Sequence, residues 1–141
     1  KLAWLGLLLV LPVLAQATTV TYSALTVREL GNFLMNLPTG FYAIAPAAAK
    51  NMMDTVDVFI LDVREPNEFA GERIQGAVSI AGRDPPERVG ELPRGKPITV
   101  SCEVGHRGSM AMMFLRGQGY NVQSISGGLD GWKNAGLPVV K

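Results

Sequence analysis

The chain has 141 residues, of which 48% are hydrophobic and 18% charged, and this composition predicts one folded globular domain and excludes a disordered protein. Its 13 Lys and Arg residues and 12 Asp and Glu residues form no basic tract, so no nucleic-acid partner is expected. The single cysteine cannot form an intramolecular disulfide, and it is therefore either inert in the core or exposed and reactive.

Residues 1–17 have the layout of a secretory signal peptide. One basic residue precedes an apolar run from Leu2 to Ala15, and the small-x-small pattern Ala-Gln-Ala at residues 15–17 follows. The run is shorter than the roughly 20 residues that a membrane-spanning helix needs. We therefore predict a periplasmic or secreted protein whose single domain is residues 18–141. The alternative is an uncleaved N-terminal membrane anchor extended through Val20, and only that alternative predicts a membrane association.

From about residue 21 the sequence alternates between short helical and short extended patterns. The first two helical patterns begin with Thr26, predicted to cap its helix, and with Pro46, which is favourable in a first turn. The other predicted helices are one that ends near Gly71, a single turn within residues 87–92, and longer ones over residues 107–119 and 128–135. The predicted strands are residues 58–63, 77–80, 97–102 and 121–126.

Strands separated by helices of this length predict an α/β fold with a central parallel sheet of about five strands and helices on both faces. The spacing of apolar residues in the helix over residues 107–119 predicts an inward face made of Met110, Met113, Phe114 and Gly117. We interpret the methionines of this helix as core filling, and no cofactor or metal site is predicted.

The stretch CEVGHRGSM, residues 102–110, holds the only cysteine and the only histidine of the chain. Cys102 is predicted to be the last residue of its strand, at the edge of a parallel sheet where ligands bind. Gly105 and Gly108 let the loop curl back onto the next helix, so that backbone N–H groups converge into an anion-binding nest.

Positive charge close to this cysteine favours a reactive thiolate over an inert buried thiol. Free cysteines usually serve as small buried hydrophobes. Here the strand-end position, the following glycine and the cations Arg107 and His106 favour a thiolate at the floor of the nest.

Four segments in register resemble the rhodanese family, over roughly residues 20–140. They are LDVREPNEF, GERIQGAVSI, CEVGHRGS and ISGGLDGWKNAGLPV. The resemblance implies a rhodanese-like α/β domain, close to the small exported bacterial type. It also implies a sulfurtransferase that moves a sulfane sulfur from a donor such as thiosulfate to an acceptor such as cyanide or a thiol.

The resemblance also implies roles for individual residues. Cys102 would be the nucleophile that carries the persulfide, and Arg107 would meet the anionic oxygens of the donor. Asp62 and Arg64 would support the loop from the neighbouring strand end, or would form only a structural ion pair. The backbone cradle would consist of Glu103, Val104, Gly105, His106 and Arg107. Glu103, directly after the nucleophile, adds a negative charge that is expected to weaken binding of an anionic donor.

Two alternatives remain open at this level. A rhodanese-like module that carries or senses sulfur without turnover would have the same cysteine and cradle. A phosphatase or arsenate-type enzyme is disfavoured, because four residues separate Cys102 from Arg107 and related phosphatases have a loop longer by one residue. The sequence makes no prediction of oligomeric state.

Overall fold

The computed structural model describes residues 21–141, so the predicted signal peptide at residues 1–17 lies outside the described residues. The chain divides between Asn36 and Leu37 into two units, and the second unit contains the sheet. Within residues 21–141 no helix has both the length and the apolar character needed to cross a membrane.

The described part of the first unit is one helix, α1 (Ala24–Met35). The side chain of Ser23 accepts a hydrogen bond from the Thr26 N–H at 3.2 Å, so Ser23 is the N-cap. The prediction of Thr26 as the cap was wrong, because the helix already begins at Ala24 and Thr26 lies in its first turn.

The second unit is built on a five-stranded sheet in which every pairing is parallel, in the order β1-β5-β4-β2-β3. Its strands are β1 (Ala43–Ile44), β2 (Phe59–Asp62), β3 (Val78–Ser79), β4 (Ile98–Ser101) and β5 (Val122–Ile125). This confirms the predicted sheet. The edge strand β1 was not predicted, because two residues carry no periodicity.

The helices of this unit follow the predicted order. They are α2 (Pro46–Thr55), α3 (Pro66–Gly71), α4 (Pro85–Arg88) with a 3-10 turn (Val89–Glu91), α5 (His106–Gly117) and α6 (Gly128–Asn134). The predicted starts and ends at Pro46 and Gly71 are confirmed, whereas the connection before β4 holds more helix than the single turn expected from its sequence.

Two apolar clusters cover the two faces of the sheet, because successive strand residues point to opposite sides. One cluster contains Leu61 and Val100 and packs with α5 through Ala111, Met112 and Leu115. The other contains Ile60 and Ile125 and packs with α2 through Ala49 and with α6 through Leu129 and Trp132. The prediction of helices on both faces is therefore confirmed.

The predicted inward face of α5 was wrong at Met110 and Gly117, whereas Phe114 packs against the core as predicted. Met110 is 71% exposed and Gly117 is also exposed, while Met113 and Phe114 are only half-buried. The buried positions are Gly108, Ala111, Met112 and Leu115. The small residues Gly108 and Ala111 allow the helix to approach the sheet closely, which overrides the preference for burying the largest apolar side chains.

The register of the sheet fixes where the candidate site forms. Asp62 at the end of β2 lies opposite Ser101 at the end of β4, so these two strands end at the same level. Cys102 is thus the first residue after β4, rather than its last residue as predicted. Its carbonyl accepts a hydrogen bond from Leu129 N–H of α6 at 2.7 Å, which takes it out of the ladder of the sheet.

Candidate active site

The sulfur of Cys102 accepts two backbone hydrogen bonds. Gly105 N–H donates to Sγ at 3.1 Å and Gly108 N–H donates at 3.2 Å. Gly105 precedes α5 with a φ of +101°, so the helix begins with its free N–H groups and positive dipole end beside the sulfur. These donors stabilise negative charge on Sγ. Cys102 itself is only 1% exposed.

The side chains at the middle of the loop do not take part in this cradle. Val104 and His106 are both exposed. Among the described residues, the His106 imidazole has no hydrogen-bond or ion-pair partner. The backbone N–H groups that donate to the sulfur come from Gly105 and Gly108 instead. The predicted cradle of residues 103–107 and the expected contribution of a His106 charge stay predictions.

The N-terminal end of α6 holds the outer side of the loop. Leu129 N–H and Asp130 N–H, at the start of α6, donate to the carbonyls of Cys102 and Glu103 at 2.7 and 3.0 Å. A Cβ on Gly128 would lie 2.3 Å from the Cys102 carbonyl oxygen, and its φ is +58°. Only glycine fits there, and α6 keeps the loop carbonyls turned away from the sulfur.

Gly108 permits the close approach of α5 to the sheet at the site. A Cβ at this position would lie 2.9 Å from Ser124 Oγ and 3.6 Å from Cys102 Sγ. The absence of a side chain therefore lets the Gly108 N–H reach the sulfur. The sequence indicated this glycine as a source of backbone freedom, but its φ is not positive and its role is one of space.

Asp62 and Arg64 form a buried ion pair that reaches the loop. Arg64 Nε donates to both Asp62 carboxylate oxygens at 3.0 and 3.1 Å, and Nη2 donates at 2.8 Å. Arg64 Nη2 also donates to the Glu72 carbonyl at 2.6 Å, and Nη1 donates to Glu103 Oε2 at 3.2 Å. The guanidinium thus links the end of β2 to the residue after the cysteine.

The charges around Arg64 decide its protonation. Burial lowers the pKa of Arg64, but the hydrogen bond to Asp62 and the negative charges of Asp62 and Glu103 outweigh it, so the pKa is raised. The guanidinium stays charged, as a buried cation with two carboxylate partners should.

Arg107 is paired with Glu68, a residue that the sequence did not single out. Arg107 Nη1 and Nη2 donate to the two Glu68 carboxylate oxygens at 2.6 and 2.7 Å. Glu65 N–H donates to Glu68 Oε2 at 2.9 Å, completing a capping box at the start of α3. The Arg107 hydrogen bond is the main cause that lowers the pKa of Glu68 to about 2. A glutamate three positions after Glu65 was the available signal.

The comparisons with known proteins agree on one family. The model of the rhodanese-like domain matches residues 45–135. This chain belongs to the rhodanese family. It is 37% identical over 100 residues to the thiosulfate sulfurtransferase GlpE of Actinobacillus succinogenes, across 70% of this chain and 90% of that protein. It is 33% identical over 93 residues to a sulfurtransferase of Allochromatium vinosum, across 65% and 87%.

A solved structure gives the same result for the fold. The crystal structure of a rhodanese-related protein from Thermoplasma volcanium matches with a TM-score of 0.66 and 32% identity, over 70% of this chain and 96% of that one. The resemblance inferred from the four sequence segments is therefore confirmed. Family and relatives support sulfur transfer in general as the activity of this rhodanese.

The structure connects part of the predicted site of this rhodanese, whereas Val104 and His106 are exposed. Arg64 reaches Glu103 beside the nucleophile, and the two N–H donors of the loop reach Cys102 Sγ. Glu68 and Gly128 were missed, because each contributes through a contact with a segment far away in the sequence. The chemical roles of the predicted residues stay predictions.

Proposed function

We propose that this rhodanese is a sulfurtransferase that moves a sulfane sulfur from a donor to a thiophilic acceptor through a persulfide on Cys102. The observation that carries the proposal is the pair of backbone N–H groups donating to Cys102 Sγ. Such donors stabilise the negative charge that sulfur carries before the attack and after each transfer.

The proposed reaction has two steps. The Cys102 thiolate attacks the outer sulfur of thiosulfate, forming the cysteine S–S bond while the donor S–S bond breaks and sulfite leaves with the electron pair. Cyanide or a thiolate then attacks the outer persulfide sulfur, and the Cys102 thiolate is restored. Thiosulfate is the donor named for the GlpE relative of Actinobacillus succinogenes, and it is the first donor to test here.

A rhodanese module that carries or senses sulfur without turnover is the second candidate. The burial of Cys102, which is 1% exposed, favours it. A sulfur atom so enclosed is protected from bulk acceptors, whereas turnover requires that an acceptor reach the persulfide.

Intact mass separates these candidates. The purified protein is incubated with thiosulfate, its mass is recorded, and thiocyanate is assayed after addition of cyanide, with Cys102→Ser as the control. Gain of one sulfur atom on the wild type alone, lost as thiocyanate appears, supports the sulfurtransferase. Gain without release supports the carrier. Absence of any gain with both thiosulfate and an organic persulfide contradicts the persulfide proposal.

Export belongs to the proposal as well, supported by the signal-peptide pattern of residues 1–17. Expression of the full chain in a Gram-negative host, followed by N-terminal sequencing of the periplasmic fraction, tests it. A mature terminus beginning at Thr18 supports export with cleavage. An intact chain in the membrane fraction supports the anchor instead.

A further inference from the structure

In the ion pairs linked to the Cys102 loop, carboxylates outnumber the guanidinium groups that could bind an anionic donor. Arg64 is bonded to Asp62 and to Glu103, and Arg107 is bonded to Glu68. Two guanidinium groups thus face three carboxylates of the same chain. The sulfur is stabilised by backbone N–H groups, while the side-chain charge beside it is already compensated.

The Glu68 carboxylate binds Arg107 in the geometry that an oxyanion of a sulfur donor would adopt. Both terminal nitrogens of Arg107 are bonded, one to each oxygen of the carboxylate. Fork-to-fork pairing of this kind is the strongest arrangement of arginine with a carboxylate or other oxyanion. A donor anion that binds the same edge of Arg107 must first displace Glu68.

A backbone hydrogen bond also holds the Glu68 carboxylate in place. Its Oε2 accepts the Glu65 N–H at 2.9 Å, and its position three residues after Glu65 in α3 makes this a capping box. Turning the carboxylate away from Arg107 would therefore disturb the start of the helix as well as the ion pair. The side chains of Arg107 and Glu68 are 36% and 28% exposed, so incoming anions and Glu68 compete at the same partly open surface.

Arg107 and Cys102 interact electrostatically. The hydrogen bond to Glu68 is the largest cause that raises the pKa of Arg107, and the charge of Cys102 is a further cause. Arg107 directly precedes Gly108, whose N–H donates to Cys102 Sγ at 3.2 Å. This position places the guanidinium beside the sulfur loop, where its charge, or its neutralisation, affects a ligand at the sulfur.

We infer that Glu68 is a specificity-determining residue which, as a tethered competitor for Arg107, makes the site discriminate against the doubly charged donor thiosulfate in favour of less charged organic persulfides. This inference rests on the proposed function for its biological meaning. Its physical content, rejection of negative charge at Cys102, does not require that sulfur transfer occur.

Two alkylating reagents of different charge test the inference on the full chain. Iodoacetamide is neutral and iodoacetate is an anion, and both are attacked by the Cys102 thiolate with loss of iodide. The ratio of their rates, followed by intact mass, cancels differences in sulfur accessibility. The variant Glu68→Gln keeps an oxygen for the Glu65 N–H but removes the charge.

The matched control is Glu91→Gln. Glu91 pairs with Arg88 through two bonds of 2.7 Å, so the same substitution removes one charge and one bidentate ion pair. Val89, in the same 3-10 turn, accepts a hydrogen bond from Tyr120, which follows the C-terminal end of α5. The control therefore lies near the C-terminal end of α5, whereas the N-terminal end of that helix donates to Cys102.

We expect Glu68→Gln to raise the iodoacetate-to-iodoacetamide rate ratio about fivefold over wild type, the effect of one partly exposed ion pair. Glu91→Gln should leave the ratio unchanged. In sulfur transfer, Glu68→Gln should raise kcat/KM for thiosulfate relative to that for 2-hydroxyethyl persulfide, through a lower KM for thiosulfate. A Glu68→Gln ratio equal to that of wild type overturns the inference.

The outcomes also separate the inference from the proposed function. A raised alkylation ratio in a protein that transfers no sulfur from either donor supports the role of Glu68 and contradicts the proposed function. An unchanged ratio in a protein that does transfer sulfur leaves the proposed function standing and overturns the role of Glu68.

Discussion

Gly128→Ala should damage the candidate site without touching the cysteine. The added Cβ would lie 2.3 Å from the carbonyl oxygen of Cys102 and 2.7 Å from that of Glu103, and both contacts are with backbone. A side chain cannot rotate away to relieve them, so the loop or the start of α6 must move. Movement would break the hydrogen bond from Leu129 N–H to the Cys102 carbonyl.

The cost follows from three contributions. An alanine at the Gly128 φ of +58° costs about 1–2 kcal/mol. Forcing apart packed groups costs about 1–3 kcal/mol. A lost backbone hydrogen bond costs roughly 1 kcal/mol. We therefore expect the free energy of unfolding to fall by about 3–6 kcal/mol, a large part of the 5–15 kcal/mol typical of a domain.

Gly136→Ala is the matched control. Gly136 has a φ of +72°, yet a Cβ there would meet nothing within 4 Å. It should therefore lose only the backbone contribution, about 1–2 kcal/mol. The difference between the two variants isolates the contact of Gly128 with the loop.

Urea denaturation followed by circular dichroism measures both free energies of unfolding. Thiocyanate formation, measured where both variants are folded, should fall much further in Gly128→Ala, because the displaced loop no longer directs Gly105 and Gly108 N–H toward the sulfur. Equal losses of stability together with equal rates of thiocyanate formation would refute the claim that Gly128 holds the loop.

Two further predictions concern the ion pairs. Asp62→Asn should lower the free energy of unfolding by about 3–5 kcal/mol in urea denaturation, because it leaves Arg64 as a buried cation with one partner fewer; a loss below about 1 kcal/mol would contradict this. The pKa of Glu68 is lowered from 4.5 to about 2, so its pairing with Arg107 stabilises the fold above pH 4.5 and is lost as the pH falls toward 2. The stability advantage of wild type over Glu68→Gln, about 1 kcal/mol at neutral pH, should therefore shrink between pH 5 and 2 in acid titrations.

The parts of the fold that were predicted correctly have strong local signals. β2 begins with three apolar residues and β4 with three β-branched residues, and α2 and α3 begin with proline in the first turn. The errors arose where packing decided the outcome. The face of α5 was misassigned at Met110 and Gly117, because the close approach of Gly108 to the sheet sets the rotation of the helix.

The candidate site also has one part that the sequence predicts and another that only the fold shows. The loop after Cys102 could be predicted, because its cysteine, glycines and arginine lie within a few residues of one another. Gly128 and Glu68 act on that loop from 26 positions later and 34 positions earlier, counted from Cys102. The sequence shows a paired glycine and a capping glutamate, but only the fold shows that these meet the Cys102 and Glu103 carbonyls and Arg107.

In the proposed function, backbone groups of the site bind the sulfur and side chains select the donor. Backbone N–H groups hold the sulfur, and they remain in place whichever side chains stand at the exposed positions of Val104 and His106. The inferred role of Glu68 assigns the preference for donor charge to side chains at the rim of the loop, above all Glu103 and Glu68, whose carboxylates pair with the two arginines. A single rhodanese cradle can thus serve donors of different charge through changes at the rim alone, since those changes leave the two hydrogen bonds to Cys102 intact.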